Sequence, residues 1–153
     1  MRDPIILAIG ESLNPHHVSA LGYERDTTPE LKALMKQYQG TGRLVVSNAV
    51  STRVAIPMLV NNLREPDNYG AYKSRSTNIF ANAKKQGYQT AFISAQGLEG
   101  LSNWIGIHDI DLWEDTQIRP APDVGADVVL TPSVEKATLD WNKPFLMVLN
   151  SRA

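Results

Sequence analysis

The stretch Ile5-Ile6-Leu7-Ala8-Ile9-Gly10-Glu11-Ser12 decides how the rest of the chain is read. Its apolar run shows no alternation and lies between Pro4 and Gly10. Such a run predicts a β-strand buried on both faces, as in a parallel sheet. A carboxylate and a hydroxyl, Glu11 and Ser12, then stand at the carboxyl end of that strand, where open parallel sheets collect their ligands.

Working outward, Thr28-Pro29-Glu30 predicts a helix start. Thr28 can cap it, Pro29 suits the first helical position and Glu30 complements the dipole. Leu31, Leu34, Met35 and Tyr38 form one apolar stripe, ended by Gly40 and Gly42. Residues 44–46 predict a second strand. Ser51-Thr52 precedes a helical stretch through Leu63, with Pro57 marking a kink or the true start. Residues 65–74 read as a polar loop. Ser76 is expected to cap a helix with Ile79, Phe80 and Ala83 inward and Gly87 at its end. Residues 89–94 predict a strand, residues 104–122 a segment covering the sheet edge, residues 127–141 a helix and residues 145–149 a last strand. This alternation predicts an α/β three-layer sandwich around a largely parallel sheet.

Composition narrows the function classes. The chain has 153 residues, 15 Lys+Arg against 16 Asp+Glu, and no Cys. A net charge of -1 argues against wrapping nucleic acid, which needs a basic surplus. With 42% hydrophobic residues the chain is no disordered tail, and its length suits one domain. No apolar stretch approaches the ~20 residues of a membrane span, and no export leader is visible. The absence of Cys excludes disulfides, thiolate nucleophiles and Cys-type zinc sites.

Several residues could carry chemistry. Glu11 could ligate a cation or simply cap a turn. Thr52, at a helix start, could be a hydroxyl nucleophile favoured by the dipole, or an ordinary N-cap. His16 and His17 read as solvated loop residues, and His108 is ambiguous. Asp109, Asp111, Glu114 and Asp115 lack the pattern of a calcium loop and read as a solvated face. Gly10-Glu11-Ser12-Leu13 also looks like the Gly-Asp-Ser-Leu block of SGNH esterases, with Ser12 as nucleophile. That family needs an Asp-x-x-His near the C-terminus, and here Ile105 stands three before the last histidine, His108.

Taken together, Gly10-Glu11-Ser12, His17-x-Ser19-x-x-Gly22-Tyr23 and Arg25-Asp26-Thr27-Thr28-Pro29 resemble the phosphoethanolamine transferases. These belong to the sulfatase-like branch of the alkaline phosphatase superfamily. Ala20 stands where the family pattern usually shows Leu. The likeness continues at Ser51-Thr52-Arg53-Val54-Ala55-Ile56-Pro57, where Thr52 stands five residues before Pro57, as the family's nucleophile does before its Pro. Asn78 with residues 83–90, then Asp127-x-x-Leu130 and Pro144 to Leu149, resemble the elements that follow.

The resemblance implies an alkaline-phosphatase-like fold, here truncated: residues 1–153 as the N-terminal portion of the catalytic domain. It implies zinc held by Glu11 and Thr52, with His17 in a supporting role. Thr52 would take phosphoethanolamine from a phospholipid donor and pass it to a lipid or glycan acceptor. The family's remaining zinc ligands, an Asp-His pair, would lie beyond residue 153, so this segment alone is expected to show little turnover. A bacterial inner-membrane enzyme with a periplasmic catalytic domain is implied, its membrane segments absent from this soluble chain. Ala95 departs from the Asn common after the strand, and no Lys follows between Gly97 and Gly100. Other readings of the same residues are a sulfatase- or phosphodiesterase-like hydrolase, the SGNH esterase, and a non-catalytic degenerate domain. An incomplete domain would expose sheet edge or apolar surface, which predicts self-association.

Overall fold

The computed structural model describes residues 3–115, 130–135, 137, 140 and 142–152. They form two compact units, Met1–Glu11 with Asn48–Ala153, and Ser12–Ser47.

The larger unit is built on a parallel sheet of β1 (Ile5–Ile9), β2 (Gln89–Ser94), β3 (Leu112–Glu114) and β4 (Phe145–Asn150), in the order β1-β4-β2-β3. Every pairing is parallel, so all carboxyl ends lie on one side. Ile9 and Ser94 both register with Asn150, which brings the segments after β1, β2 and β4 together.

Alternation along the central strands sorts the core into two faces. Phe92, Leu146 and Val148 pack with Ile56, Val60, Phe80, Leu98 and Ile105 on one. Ala91, Ile93, Phe145 and Met147 face Leu130 and Val134 on the other. Helices α2 (Thr52–Val60), α4 (Ile79–Lys85) and α5 (Ser102–Ile105) therefore supply the first covering layer, and α6 (Leu130–Glu135) contributes to the second.

The central strands β2 and β4 are buried on both faces, as central strands of a covered parallel sheet are. β1 is not: it takes an edge position, with Ile5 49% and Ile6 56% exposed. Composition alone does not distinguish an edge from a centre. The apolar residues 44–46 do not join the sheet; they belong to the smaller unit and form no strand. A short apolar run has no strand character until a partner supplies its ladder.

In the smaller unit, α1 (Pro29–Gln37) starts after Thr28, but the Thr28 hydroxyl does not cap it. It accepts from the Ala20 N–H at 3.1 Å and lies 3.1 Å from Ser19 Oγ, fixing a 3-10 turn instead. Leu31, Leu34 and Tyr38 of the expected stripe are exposed. A unit of this size has too little chain to cover an amphipathic helix face.

Two loop expectations also change. Residues 65–74 contain a short helix, α3 (Tyr69–Ser74), capped by the Asn68 side chain on the Ala71 N–H. Asn78, not Ser76, caps α4: its Oδ1 accepts from Phe80 and Ala81 N–H at 2.9 and 3.1 Å. Asn78 is fully buried, and its Nδ2 donates to Asn61 Oδ1 at 3.0 Å and to the Ile105 carbonyl at 2.9 Å. Asn61 in turn donates to the Pro57 and Trp104 carbonyls at 2.8 and 2.7 Å. These amides lock the end of α2 to α4 and α5, and so fix the helix that begins with Thr52. The edge segment expected over residues 104–122 contains the end of α5, a 3-10 turn and β3 itself; residues 116–122 lie outside the described residues. Of the helix expected over 127–141, residues 130–135 are helical, whereas Asp127 and Trp141 lie outside the described residues.

Candidate functional site

Glu11 leaves the end of β1 after Gly10 and is half-buried. Thr52 is the first residue of α2, with Ser51 at the N-cap in extended conformation and making no side-chain cap. The Val54 and Ala55 N–H groups both turn back to the Ser51 carbonyl, at 2.9 and 2.8 Å. Pro57 lies inside α2 and neither starts nor ends it.

These elements bring two residues 41 positions apart into contact. The Thr52 hydroxyl donates to the Glu11 carboxylate, 3.0 Å from Oε1 and 2.9 Å from Oε2. The hydroxyl hydrogen is thereby aimed at a base, and the oxygen sits at the positive end of a helix dipole, which favours negative charge there. Arg53 ties the same end of α2 down, its Nη2 donating to the Glu99 carbonyl at 2.8 Å.

A third residue, not singled out in the sequence, completes the constellation. Gln96 follows β2, and its Nε2 donates to Glu11 Oε2 at 2.9 Å and to the Ser151 carbonyl at 2.7 Å. The sequence signal was its position just past a strand end of a parallel sheet, but 85 residues separate it from Glu11. Beneath it, Ser94 Oγ accepts from the Gln96 N–H at 3.0 Å and from Asn150 Nδ2 at 2.9 Å, and donates to the Gln96 carbonyl at 2.9 Å.

The other sequence candidates serve elsewhere. Ser12 opens the smaller unit with a left-handed backbone, φ 52°. His17 ends a 3-10 turn, and its ring lies against Tyr23 with centroids 5.1 Å apart. His108 lies in the 3-10 turn after α5. Of the acidic residues 109–115, read as a solvated face, Asp111 is exposed, Asp109 and Glu114 are half-buried and Asp115 is buried, and all four have partners. Asp109 pairs with Arg75 at 2.9 Å, and Asp111 with Lys84. Glu114 accepts from Ser133, and buried Asp115 from the Trp113 indole. Burial pushes the Asp111 carboxyl up. Hydrogen bonds from Lys84 and from the Thr90 N–H and hydroxyl outweigh it and hold the group below the ordinary carboxylate range.

A carboxylate is an ordinary cation ligand, so Glu11 could hold a metal with the Thr52 oxygen beside it. Among the described residues no three His, Cys, Asp or Glu converge on a cation site, so these residues do not complete one. Among them, too, no helix is long and apolar enough to cross a membrane.

A parallel α/β sheet with a carboxylate-oriented hydroxyl at its carboxyl edge defines the class. The sulfatase family model matches residues 4–153, nearly the whole chain, and the chain belongs to that family. No curated protein matches the chain. Among solved structures it is similar to the C-terminal periplasmic domain of EcEptC from Escherichia coli in complex with Zn, with TM-score 0.63 and 23% identity over 98% of this chain and 44% of that one. It is also similar to the C-terminal periplasmic domain of the phosphoethanolamine transferase EptC from Campylobacter jejuni, with TM-score 0.59 and 18% identity over 98% of this chain and 45% of that one. These likenesses establish the α/β fold shared with the EptC periplasmic domains. The chain spans a little under half the length of the solved domains it matches.

Proposed function

We propose that this chain carries the nucleophile half of a phosphoethanolamine transferase site, with Thr52 as nucleophile. The observation that carries the reading is the Thr52 hydroxyl directed onto the Glu11 carboxylate at the start of α2. Family membership and the EptC-like fold support it.

Thr52 Oγ1 attacks the phosphorus of a phosphodiester in a phospholipid such as phosphatidylethanolamine. The Oγ1–P bond forms as the P–O bond to diacylglycerol breaks. The Thr52 proton leaves along its hydrogen bond toward Glu11, and the diacylglycerol oxygen takes a proton from water. A hydroxyl of a lipid or glycan acceptor then attacks the phosphorus: its O–P bond forms as the Oγ1–P bond breaks, its proton passes to the hydroxide left by the first step, and Thr52 regains its proton from Glu11. The α2 dipole favours negative charge developing at Thr52. Glu11 and Thr52 would hold the zinc, with remaining donors from the part of the matched domains that this chain does not span. When bound, zinc supplies Lewis-acid polarisation and lowers the hydroxyl pKa. The reading places the whole enzyme at the bacterial inner membrane with this domain in the periplasm. It also carries the expectation that the chain alone self-associates along β1, where Ile5 and Ile6 are exposed.

The test is intact-protein and peptide mass spectrometry after incubation with phosphatidylethanolamine and zinc, using the chain extended to the length of the matched domains. An adduct of one phosphoethanolamine on Thr52, absent in Thr52→Val, is expected; a Ser12 adduct or none overturns the reading. The family match also accommodates a hydrolase, in which water replaces the acceptor in the second step. Release of free phosphoethanolamine at the same rate with and without acceptor would select that reading.

A further inference from the structure

We infer that Gln96 is the positioning residue of this site: its side-chain amide sets the rotation of the Glu11 carboxylate that receives the Thr52 hydroxyl. The inference rests on the proposed role of Glu11 and Thr52 and adds a residue that acts through Glu11 without touching substrate.

Both Nε2 protons are committed. One goes to Glu11 Oε2 at 2.9 Å and the other to the Ser151 carbonyl at 2.7 Å, so the amide plane is fixed by two acceptors on different segments. Its backbone is held as firmly, because Ser94 Oγ bridges the Gln96 N–H and carbonyl and is itself held by the buried Asn150 amide. The strand ends are tied in the same place: the Ala95 N–H donates to the Asn150 carbonyl and the Ser151 N–H to the Ile9 carbonyl, both at 2.9 Å. Gln96 thus refers the Glu11 carboxylate to the ends of β1, β2 and β4. Glu11 itself follows an edge strand and precedes a left-handed residue, Ser12. A carboxylate bonded through Oε2 to an outer amide has one rotation about its terminal torsion selected, which is how outer partners orient ligands and bases.

The perturbation is Gln96→Met, which keeps length and apolar bulk but removes the donor. The first readout needs no metal: the Nε2 proton resonances of Gln96 by NMR in the wild-type chain and in Glu11→Gln. We expect one Nε2 proton shifted downfield by the charged acceptor, moving upfield in Glu11→Gln. Nε2 protons at solvent values in the wild-type chain, or unmoved by Glu11→Gln, overturn the inference. The second readout is zinc affinity of the chain extended to the matched domain length, by competition titration. Gln96→Met should weaken binding about 10–100-fold with an unchanged urea midpoint. It should add nothing in a Glu11→Ala background. Wild-type affinity in Gln96→Met overturns the positioning role while leaving the proposed function standing. If the wild-type extended chain binds no zinc, the metal reading fails, and the resonance test alone decides Gln96. If Gln96→Met lowers the urea midpoint, the same resonance test in the stable proteins decides.

Discussion

Replacing Asn78 by Ala should be among the most damaging single changes to this fold. The side chain is fully buried and uses its whole hydrogen-bonding capacity, two bonds accepted at the start of α4 and two donated to Asn61 and Ile105. Loss of the cap costs about 1 kcal/mol. Asn61 Oδ1 and the Ile105 carbonyl each lose a donor in a buried setting, at about 1–3 kcal/mol apiece. The sum, about 3–7 kcal/mol, is a large part of the 5–15 kcal/mol that holds a typical domain together. Urea denaturation followed by tryptophan fluorescence measures it, and the melting temperature should fall by about 2–4 °C per kcal/mol. Asn78→Ser should recover only the cap. Asn78→Asp should recover little, because it sets an acceptor against Asn61 Oδ1 and the Ile105 carbonyl. A cost below about 1 kcal/mol for Asn78→Ala, or a wild-type melting temperature in Asn78→Asp, would refute the assignment of both donated bonds.

Two further outcomes follow from the same structure. Gly106→Ala should destabilise by about 1–3 kcal/mol in the same urea assay, because its φ is +102° and a Cβ would stand 3.0 Å from Asn78 Nδ2; an unchanged midpoint would contradict this. Asp111 titrates below its ordinary value, so its contribution is fully present above the unfolded-state pKa of about 4 and is lost as pH falls through the folded value. Asp111→Asn should therefore be less stable at neutral pH and lose less stability on acidification below about pH 4. Stability curves that stay parallel through that range would show that Lys84 and Thr90 do not hold the carboxylate.

The sequence by itself determined the alternation of strands and helices, and with it a parallel sheet. A period of two or none, against a helical period, is a local property that burial enforces. It determined three of the strands and the start of α2 at Thr52, while the choice of Glu11 and Thr52 as residues worth bringing together came from the resemblance of their motifs to a known family. The fates of residues 44–46, of β1 as an edge strand and of the α1 stripe were decided by tertiary structure, because burial depends on what a neighbour covers. The cap on α4 passed from Ser76 to Asn78 for a like reason. Both can bond a helix start, but only the amide also has donors for Asn61 and Ile105. Gln96 shows the limit most clearly. Nothing local marks it, and it gains its place from the register that sets Ile9, Ser94 and Asn150 side by side. A hydrogen bond across 85 residues is a property of the sheet's topology and is written in no single stretch of chain.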